Sequence, residues 1–358
     1  MRLFCSVALF ITLGACDPFH ASFEPIEAAV PYQAESIVVP PETPQALKIM
    51  TWNVKFGGGR VDFFFDCFGD RVLMSRDEVR DHLDGIARLI REVDPDVVLL
   101  QEVDVRSKRS GFIDQLQNLL DNTDLNYGVY ASQWRVDFVP SDGLGAMDNG
   151  NAILSRWPLV DAERVALPQR SDQSGLERYF YLRRNFLRAR VEFSPERSVW
   201  IANLHADAYG EDGTKEEHVE LFYEELQRLN SEGETVVAGG DFNVIPPDSE
   251  QQHDFPDSVC EDEEYIADDY RTQSDWLRPW YENFSAAVSL EDYAANNDAY
   301  FTHTVNAEGF WNRKLDYLFT NATWVAGSDQ TLQSESQGGF ETMSLSDHAP
   351  LIAELELP

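Results

Sequence analysis

Eight polar side chains end or interrupt apolar runs in this sequence. They are Asn53 in TWNV, Glu102 in LLQEV, His205 in NLHAD, Asp241 and Asn243 in GGDFN, Asp316 in KLDYLF, and the adjacent Asp347 and His348 in SDHAPL. At the end of an apolar strand such groups are partly buried, and a buried carboxylate needs a cation or several donors. One of them is readily a satisfied core polar residue. Four carboxylates, two amides and two histidines in that setting ask for a shared explanation. A hard divalent cation supplies one, since Mg²⁺ takes oxygen ligands, keeps several waters, and uses one or two carboxylates beside substrate phosphate.

Glu102 is the best ligand candidate. Histidine suits Mg²⁺ poorly, so His205 and His348 are better placed to handle protons or phosphate oxygens. The chemistry that fits is hydrolysis at phosphorus. A metal neutralises phosphate oxygens, a carboxylate activates water, and a protonated imidazole stabilises charge or assists the leaving oxygen. A carboxylate beside an imidazole also orients it and raises its pKa, a role open to Asp347 or Asp316. Other chemistries lack their signatures. Closely spaced His pairs and CxxC ligands for zinc are absent, as is a GxSxG nucleophile elbow. The acidic run from Glu261 to Asp269 lacks the glycine of an EF-hand loop.

Those residues need a scaffold. The runs LKIMTWNV, DVVLLQE, NYGVYAS, NAILSR, FLRARVEF, SVWIANLH, TVVAGGD, KLDYLFT and LIAELEL read as strands. Ser75-Arg76-Asp77-Glu78 is a capping box for a helix whose apolar face is Val79, Leu83, Ile86, Leu89 and Ile90. A second helix covers roughly residues 215–229 by the same period. Strands outnumber helices, which predicts an α/β sandwich with strand ends converging on one site. Residues 246–300 are acidic and aromatic without clear period, and read as a long excursion that covers the site.

Bulk properties narrow the partners. The 358 residues carry 63 acids against 28 bases, a net charge of −35. Non-specific DNA binding rests on Lys and Arg neutralising phosphates, so long duplex DNA is disfavoured, though Arg183, Arg184 or Arg188 offers local positive charge. At the N-terminus, MRLFCSVALFITLGAC reads as a secretory signal too short to remain as a spanning helix. Leu13-Gly14-Ala15-Cys16 resembles a bacterial lipobox, which implies cleavage before Cys16 and acylation of its thiol. The expected organisation is a signal peptide over 1–15, a lipidated Cys16 with a disordered, Pro-rich acidic tether over 16–46, and one catalytic domain over 47–358. The expected location is the bacterial periplasm or cell envelope, with the lipid as membrane anchor. No protein partner is inferable. His82 and His218 read as exposed helical residues, His303 as a structural strand residue, and Trp52 and Trp311 as packing aromatics.

TWNV, QEV, NLHAD, GGDFN, LDYLF and SDHAPL, in that order, resemble the endonuclease/exonuclease/phosphatase superfamily. So does GNAILSRWP. The resemblance spans about 47–357. It implies a four-layer α/β sandwich, two facing and mostly antiparallel sheets flanked by helices. It implies hydrolysis of phosphoester bonds dependent on Mg²⁺, or on Mn²⁺ or Ca²⁺, with a nucleic acid, a phospholipid headgroup or a small phosphoester as substrate. Carried over by motif, Asn53 and Glu102 sit at the metal, Asp241 orients or deprotonates the attacking water, and Asn243 holds phosphate. His205 and His348 contact phosphate, while Asp316 and Asp347 orient the histidines or complete the metal site. NLHA departs from the THL that many members carry at the position of His205. The alternative is a non-catalytic binding module that kept the fold.

In that fold the loops after Asn53 and after GGDFN rim the pocket, and Cys67 and Cys260 lie one in each. A disulfide between them is therefore expected in an exported protein. Peptide maps run with and without reductant should differ by one linked peptide pair; identical maps with both thiols free would exclude the bridge.

Overall fold

The structure is a computed structural model and describes residues 21–42, 44–64, 69–210, 212–255, 269–305, 310–333 and 341–357. The lipobox, Cys16, Cys67 and Cys260 lie outside the described residues. The strands are β1 Ile26–Ala28, β2 Val30–Gln33, β3 Ala46–Asn53, β4 Val97–Asp104, β5 Tyr127–Val139, β6 Gly145–Ser155, β7 Leu159–Ala166, β8 Asn185–Ser194, β9 Arg197–His205, β10 Val236–Asp241, β11 Ser285–Ala286, β12 Asp316–Thr320, β13 Gln330–Thr331 and β14 Leu351–Glu356. The helices are α1 Arg76–Val93, α2 Gln115–Asp121, α3 Gly175–Phe180, α4 Thr214–Ser231, α5 Arg278–Asn283 and α6 Leu290–Ala295.

The strands form two seven-stranded sheets, in the orders β1-β7-β8-β9-β10-β12-β11 and β13-β14-β3-β4-β6-β5-β2. Pairing is antiparallel except for β3 with β4 and β9 with β10. Each parallel pair is bridged by a crossover helix, α1 or α4. The sheets face each other across an apolar seam of Leu47, Ile49, Val97 and Leu99 against Leu187, Ala189, Ile201 and Val237. On the outer face of one sheet, Met50, Trp52, Val98 and Leu100 pack on Val79, Leu83, Ile86 and Ile90 of α1. On the outer face of the other, Ala202, Leu204 and Ala238 pack on Val219, Phe222 and Leu226 of α4. These are the four expected layers. The Ser75 capping box is present at α1, with Glu78 N–H donating to Ser75 Oγ and Ser75 N–H to Glu78.

Strand periodicity decides what faces the seam. Along β3 the inward positions run Leu47, Ile49, Thr51, Asn53. Along β9 they run Val199, Ile201, Asn203, His205, and along β10 Val237, Gly239, Asp241. The seam is thus apolar at one end and polar at the other. A buried amide layer marks the change. Gln101 Nε2 donates to Asn203 Oδ1 across the sheets at 2.7 Å. Asn203 Nδ2 donates to the carbonyls of Leu100 and Ala152 at 2.8 and 2.9 Å. Asn151 and Asn185 make a second crossing at 3.1 Å.

Four expectations change. The segment read as a disordered tether supplies β1 and β2, which pair with β7 and β5. Both are edge strands, where a missing N–H costs little, so Pro31 fits inside β2. Residues 246–300 are not one long loop, since they hold α5, β11 and α6, with Trp280 and Leu277 buried against the α4 face. His218 is fully buried, because it shares the inward face of α4 with Val219 and Phe222. It accepts from Asp207 N–H at 3.2 Å and pairs with the Pro168 carbonyl at 2.8 Å. His82 is half-buried and bonds the Gly57 carbonyl at 2.9 Å. Trp52 and Trp311 are buried as expected.

Replacing Asn203 with alanine leaves Gln101 Nε2 only Thr51 Oγ1 at 3.2 Å and the Leu99 carbonyl at 3.5 Å, and takes a donor from two strand carbonyls inside the seam. Unsatisfied buried groups cost about 1–3 kcal/mol each. Asn203→Ala should therefore lower the unfolding free energy by about 2–5 kcal/mol in urea titrations, with unchanged cooperativity.

Candidate active site

The polar end of the seam gathers the chain's scattered motifs. Two glycines precede Asp241 at the end of β10 and let the chain pass close to its neighbours, Gly239 to β12 and Gly240 to β9. A Cβ on Gly240, at φ +131°, would lie 2.0 Å from the Leu204 carbonyl oxygen. That close approach sets Asp241 opposite His205 in the parallel ladder and opposite Asp316 in the antiparallel one.

Glu102 requires a further device. It follows Gln101, which faces the seam, so strict alternation would point Glu102 toward α1. Instead Glu102 adopts φ +60°, and the β4–β6 register shifts between Leu100 and Val103. This bulge turns the carboxylate back into the site, where Asn53 Nδ2 donates to Glu102 Oε1 at 3.2 Å.

The C-terminal motif is fastened to the end of β3. Ser346 Oγ donates to the Asn53 carbonyl at 2.7 Å and accepts from His348 N–H at 3.2 Å. Trp52 Nε1 donates to the His348 carbonyl at 2.8 Å. SDH and TWN, almost three hundred residues apart, therefore form one unit.

Asp241 Oδ2 is the hub. It accepts from Asn53 Nδ2 at 3.1 Å and lies 3.5 Å from His205 Nε2 and 3.6 Å from His348 Nε2. The other oxygen, Oδ1, accepts from Asn243 N–H at 3.0 Å. Asn243 sits at φ +53°, and its Nδ2 donates to the Ala206 carbonyl at 3.2 Å. His348 Nδ1 pairs with Asp316 Oδ2 at 2.8 Å. Asp347, the sequence neighbour of His348, pairs with Lys55 at 3.1 Å instead. Of the two carboxylates open to that role, Asp316 is the one hydrogen-bonded to the His348 ring.

Electrostatics separates the two imidazoles. Burial disfavours charge on His348, but the Asp316, Asp241 and Asp347 carboxylates outweigh it and raise its pKa from 6.5 to about 10. His205 goes the other way. Burial, with the positive charges of Arg184 and His348, pushes it well below 6.5. Burial lifts Asp241 to about 7, against the downward pull of the His348 charge. Burial and the Asp347 charge push Glu102 above the usual carboxylate range. Burial also opposes ionisation of Asp347, yet Lys55 and His348 hold it well below that range.

A divalent cation fits this donor set. Glu102 and Asp347 are oxygen donors that repel one another at a half-buried pocket wall, and a cation would relieve that repulsion. Asn53 holds Glu102 through its amide nitrogen. Two other groups bring ligand atoms together, His303 with Asp347 and His348, and Asp241 with Asp316 and His348. Both rely on His348, whose Nδ1 is already committed to Asp316, so the oxygen pair suits a hard cation better.

The site opens into a cavity of about 410 Å³. All eight candidate residues except Asp316 line it; Asp316 lies behind His348, fully buried. Phe56 and Phe63 from the loop after β3, and Tyr270 from the excursion after GGDFN, also line it, so the expected rim is present. Sequence reasoning missed Lys55, Arg109, Gln133, Asn149 and Arg170, which are solitary polar residues without a motif of their own. It also set His303 aside as structural, whereas His303 lines the cavity with its ring 4.5 Å from that of His348. Of the three arginines offered as local charge, Arg184 lines the cavity. Arg188 is spent on Glu163 and Glu225, and Arg183 donates to the Arg178 carbonyl.

Comparison with known proteins agrees with the geometry. The model of the Endonuclease/Exonuclease/phosphatase family matches residues 50–348. No curated protein matches the chain. Among solved structures, an endonuclease/exonuclease/phosphatase from Beutenbergia cavernae DSM 12333 superposes with a TM-score of 0.56 at 19% identity, over 88% of this chain and 72% of that one. One from Bacteroides vulgatus gives 0.54 at 17% identity, over 88% and 100%. The human Nocturnin catalytic domain with bound sulfate anion gives 0.53 at 15% identity, over 92% and 98%. At these identities the likeness establishes a shared fold.

The His348 charge has a thermodynamic signature. Its folded pKa is raised to about 10 from 6.5. Its contribution to stability is therefore full below pH 6.5 and lost as pH rises through 10. In chelator-treated protein, the urea stability of wild type minus that of His348→Asn should be greatest near pH 6 and shrink steadily toward pH 10. A difference flat across that range would show that His348 is neutral in the folded protein.

Proposed function

The chain belongs to the endonuclease/exonuclease/phosphatase family, and from that premise we propose that it is a divalent-metal-dependent phosphoesterase, with Mg²⁺ as the fitting ion. The observation that carries this reading is Asp241 Oδ2, held among Asn53 Nδ2, His205 Nε2 and His348 Nε2 at 3.1–3.6 Å. A carboxylate titrating near neutrality, flanked by one neutral and one charged imidazole, is arranged for proton transfer.

Glu102 and Asp347 would hold the cation, with Asn53 fixing Glu102. When bound, such an ion neutralises phosphoryl oxygens and polarises the ester. The chain's own residues do the rest. Asp241 accepts a proton from the attacking water, and the Asn243 N–H keeps its carboxylate oriented. Neutral His205 contacts a phosphoryl oxygen through Nε2. His348, kept charged by Asp316, faces the developing charge and supplies a proton to the leaving oxygen as the phosphorus–oxygen bond breaks. A binding module would not need a water-activating base buried between two imidazoles.

The cavity volume of about 410 Å³ and the net charge of −35 favour a compact phosphoester over long duplex nucleic acid. The N-terminal residues support export by a signal peptide over 1–15 and lipidation of Cys16 in the cell envelope, with the membrane reached through that lipid. Among the described residues, no helix is long and apolar enough to cross a membrane.

A panel of nucleic acid, phospholipid and small phosphoester substrates, each with Mg²⁺ and with EDTA, tests the activity. Turnover should appear with Mg²⁺ and vanish with EDTA. Asp241→Asn should lower kcat by about 10²- to 10⁴-fold with folding intact, and Glu102→Ala should raise the Mg²⁺ concentration needed for half-maximal rate. Metal-independent turnover, or full activity in both variants, would refute the assignment. Intact mass of the envelope-extracted protein should show a diacylglyceryl-modified Cys16 at its N-terminus.

A further inference from the structure

Besides the charged His348, four lysine and arginine side chains line the cavity: Lys55, Arg109, Arg170 and Arg184. Three are neutralised by acids. Lys55 pairs with Asp347 at 3.1 Å, Arg109 pairs with Asp104 at 2.9 Å, and Arg170 pairs with Asp172 at 2.7 Å. Arg184 is different. It is only 8% exposed, and among the described residues it has no carboxylate partner. Its Nη1 donates to Gln133 Oε1 at 3.3 Å, and its buried Nε has no hydrogen-bond partner among the described residues.

A buried guanidinium without a salt-bridge partner is costly to the free protein, and the Glu102 charge acts on it only at longer range. The fold nevertheless fixes it in place. Gln133 Nε2 donates to Asn149 Oδ1 at 2.8 Å, and Asn149 Nδ2 donates to Asp104 Oδ1 at 2.9 Å. Asp104 in turn is clamped by Arg109, whose guanidinium lies 3.7 Å over the Phe56 ring. A buried relay thus runs along the cavity wall and orients Arg184 without cancelling its charge. In a protein with a net charge of −35, a held and unpaired cation on the cavity wall is a site for an anion.

We propose that Arg184 is the specificity residue of this cavity and receives a second anionic group of the substrate, a phosphate, while the scissile phosphoester lies at Asp241 and His348. The inference rests on the phosphoesterase reading for its catalytic half. It narrows the substrate class to compact phosphoesters that carry two anionic centres. Arginine suits this because its planar fork binds phosphate oxygens in pairs.

The test uses a matched pair of substrates, the p-nitrophenyl ester of thymidine 5′-phosphate with and without a 3′-phosphate, assayed with Mg²⁺ on the full chain. Wild type should favour the 3′-phosphorylated ester in kcat/KM. Arg184→Met should reduce that preference by about 10- to 100-fold, and Arg184→Lys should restore part of it. In parallel, thermal melts of metal-free protein with inorganic phosphate read binding without turnover. Phosphate should raise the Tm of wild type and raise that of Arg184→Met much less. Without phosphate, Arg184→Met should melt no lower than wild type, since it removes a buried charge that has no salt-bridge partner among the described residues.

The outcomes are separable. Equal preference in wild type and Arg184→Met, with turnover present, would overturn the specificity role and leave the phosphoesterase reading standing. No turnover on any phosphoester, with an Arg184-dependent phosphate shift, would overturn the catalytic reading and leave an anion site. A ligand-free Arg184→Met that melts well below wild type would show a structural arginine and overturn the proposal.

Discussion

Burying ionisable groups in an inter-sheet seam is the constraint on which this architecture turns. Asp241, Asp316, His205 and His348 are all at least 95% shielded from solvent. Each would be costly there alone. Together they are compensated, because His348 carries positive charge between Asp316 and Asp241 and because amide and backbone donors saturate most of the remaining oxygens. The ion pair of His348 with Asp316 is therefore the central interaction. It tolerates the neighbouring Asp241 carboxylate, and it assigns the two imidazoles different protonation states in one small volume.

That compensation makes demands on the backbone. Two strands must approach closely enough to set Asp241 beside His205, which is why glycine occupies position 240. Another strand must break its own alternation to deliver Glu102, which is why β4 carries a bulge and a left-handed glutamate. Strained backbone of this kind persists where surrounding structure over-determines it. Here the Gln101–Asn203 amide layer lies directly beneath and locks the two sheets in register. The polar layer fixes the geometry, and the apolar seam below it supplies the stabilisation.

Charge is managed differently at the wall of the cavity than on the surface. Outside, the excess of acids leaves the arginines heavily engaged, as with Arg188 between Glu163 and Glu225. Inside, Lys55, Arg109 and Arg170 are also paired, whereas Arg184 has no carboxylate partner among the described residues. The cavity wall thus carries the Glu102 carboxylate and the Arg184 guanidinium at separate fixed positions, so it discriminates by the position of charge rather than by its total. A fixed cation of this kind is a local exception to the acidity of the molecule, whose net charge is −35.

Much of this was legible in the one-dimensional pattern. Alternation of two places Asn53, His205, Asp241 and Asp316 at the ends of apolar strands, and strand identity follows from the same pattern. The S-x-x-E box declares the start of α1. The order of the motifs points to the family and, through it, to the four layers. What the pattern left open depends on distance between residues far apart in the chain. Asp347 is the covalent neighbour of His348, yet Asp316 orients it, because β12 rather than the adjoining turn faces the ring. Strict alternation would send Glu102 toward α1, and only the bulge turns it back. Pro-rich composition reads as a free tether, yet two edges of the sheets accept it as strand, since an edge forgives a missing N–H. His218, His303 and Arg184 carry no local signature, and their burial and partners are set by which helix face or strand end closes over them. Local sequence determines periodicity and chemistry, which act over a few residues; only the packing of the two sheets decides charge state and partnership, because Coulomb and desolvation energies depend on separations in space.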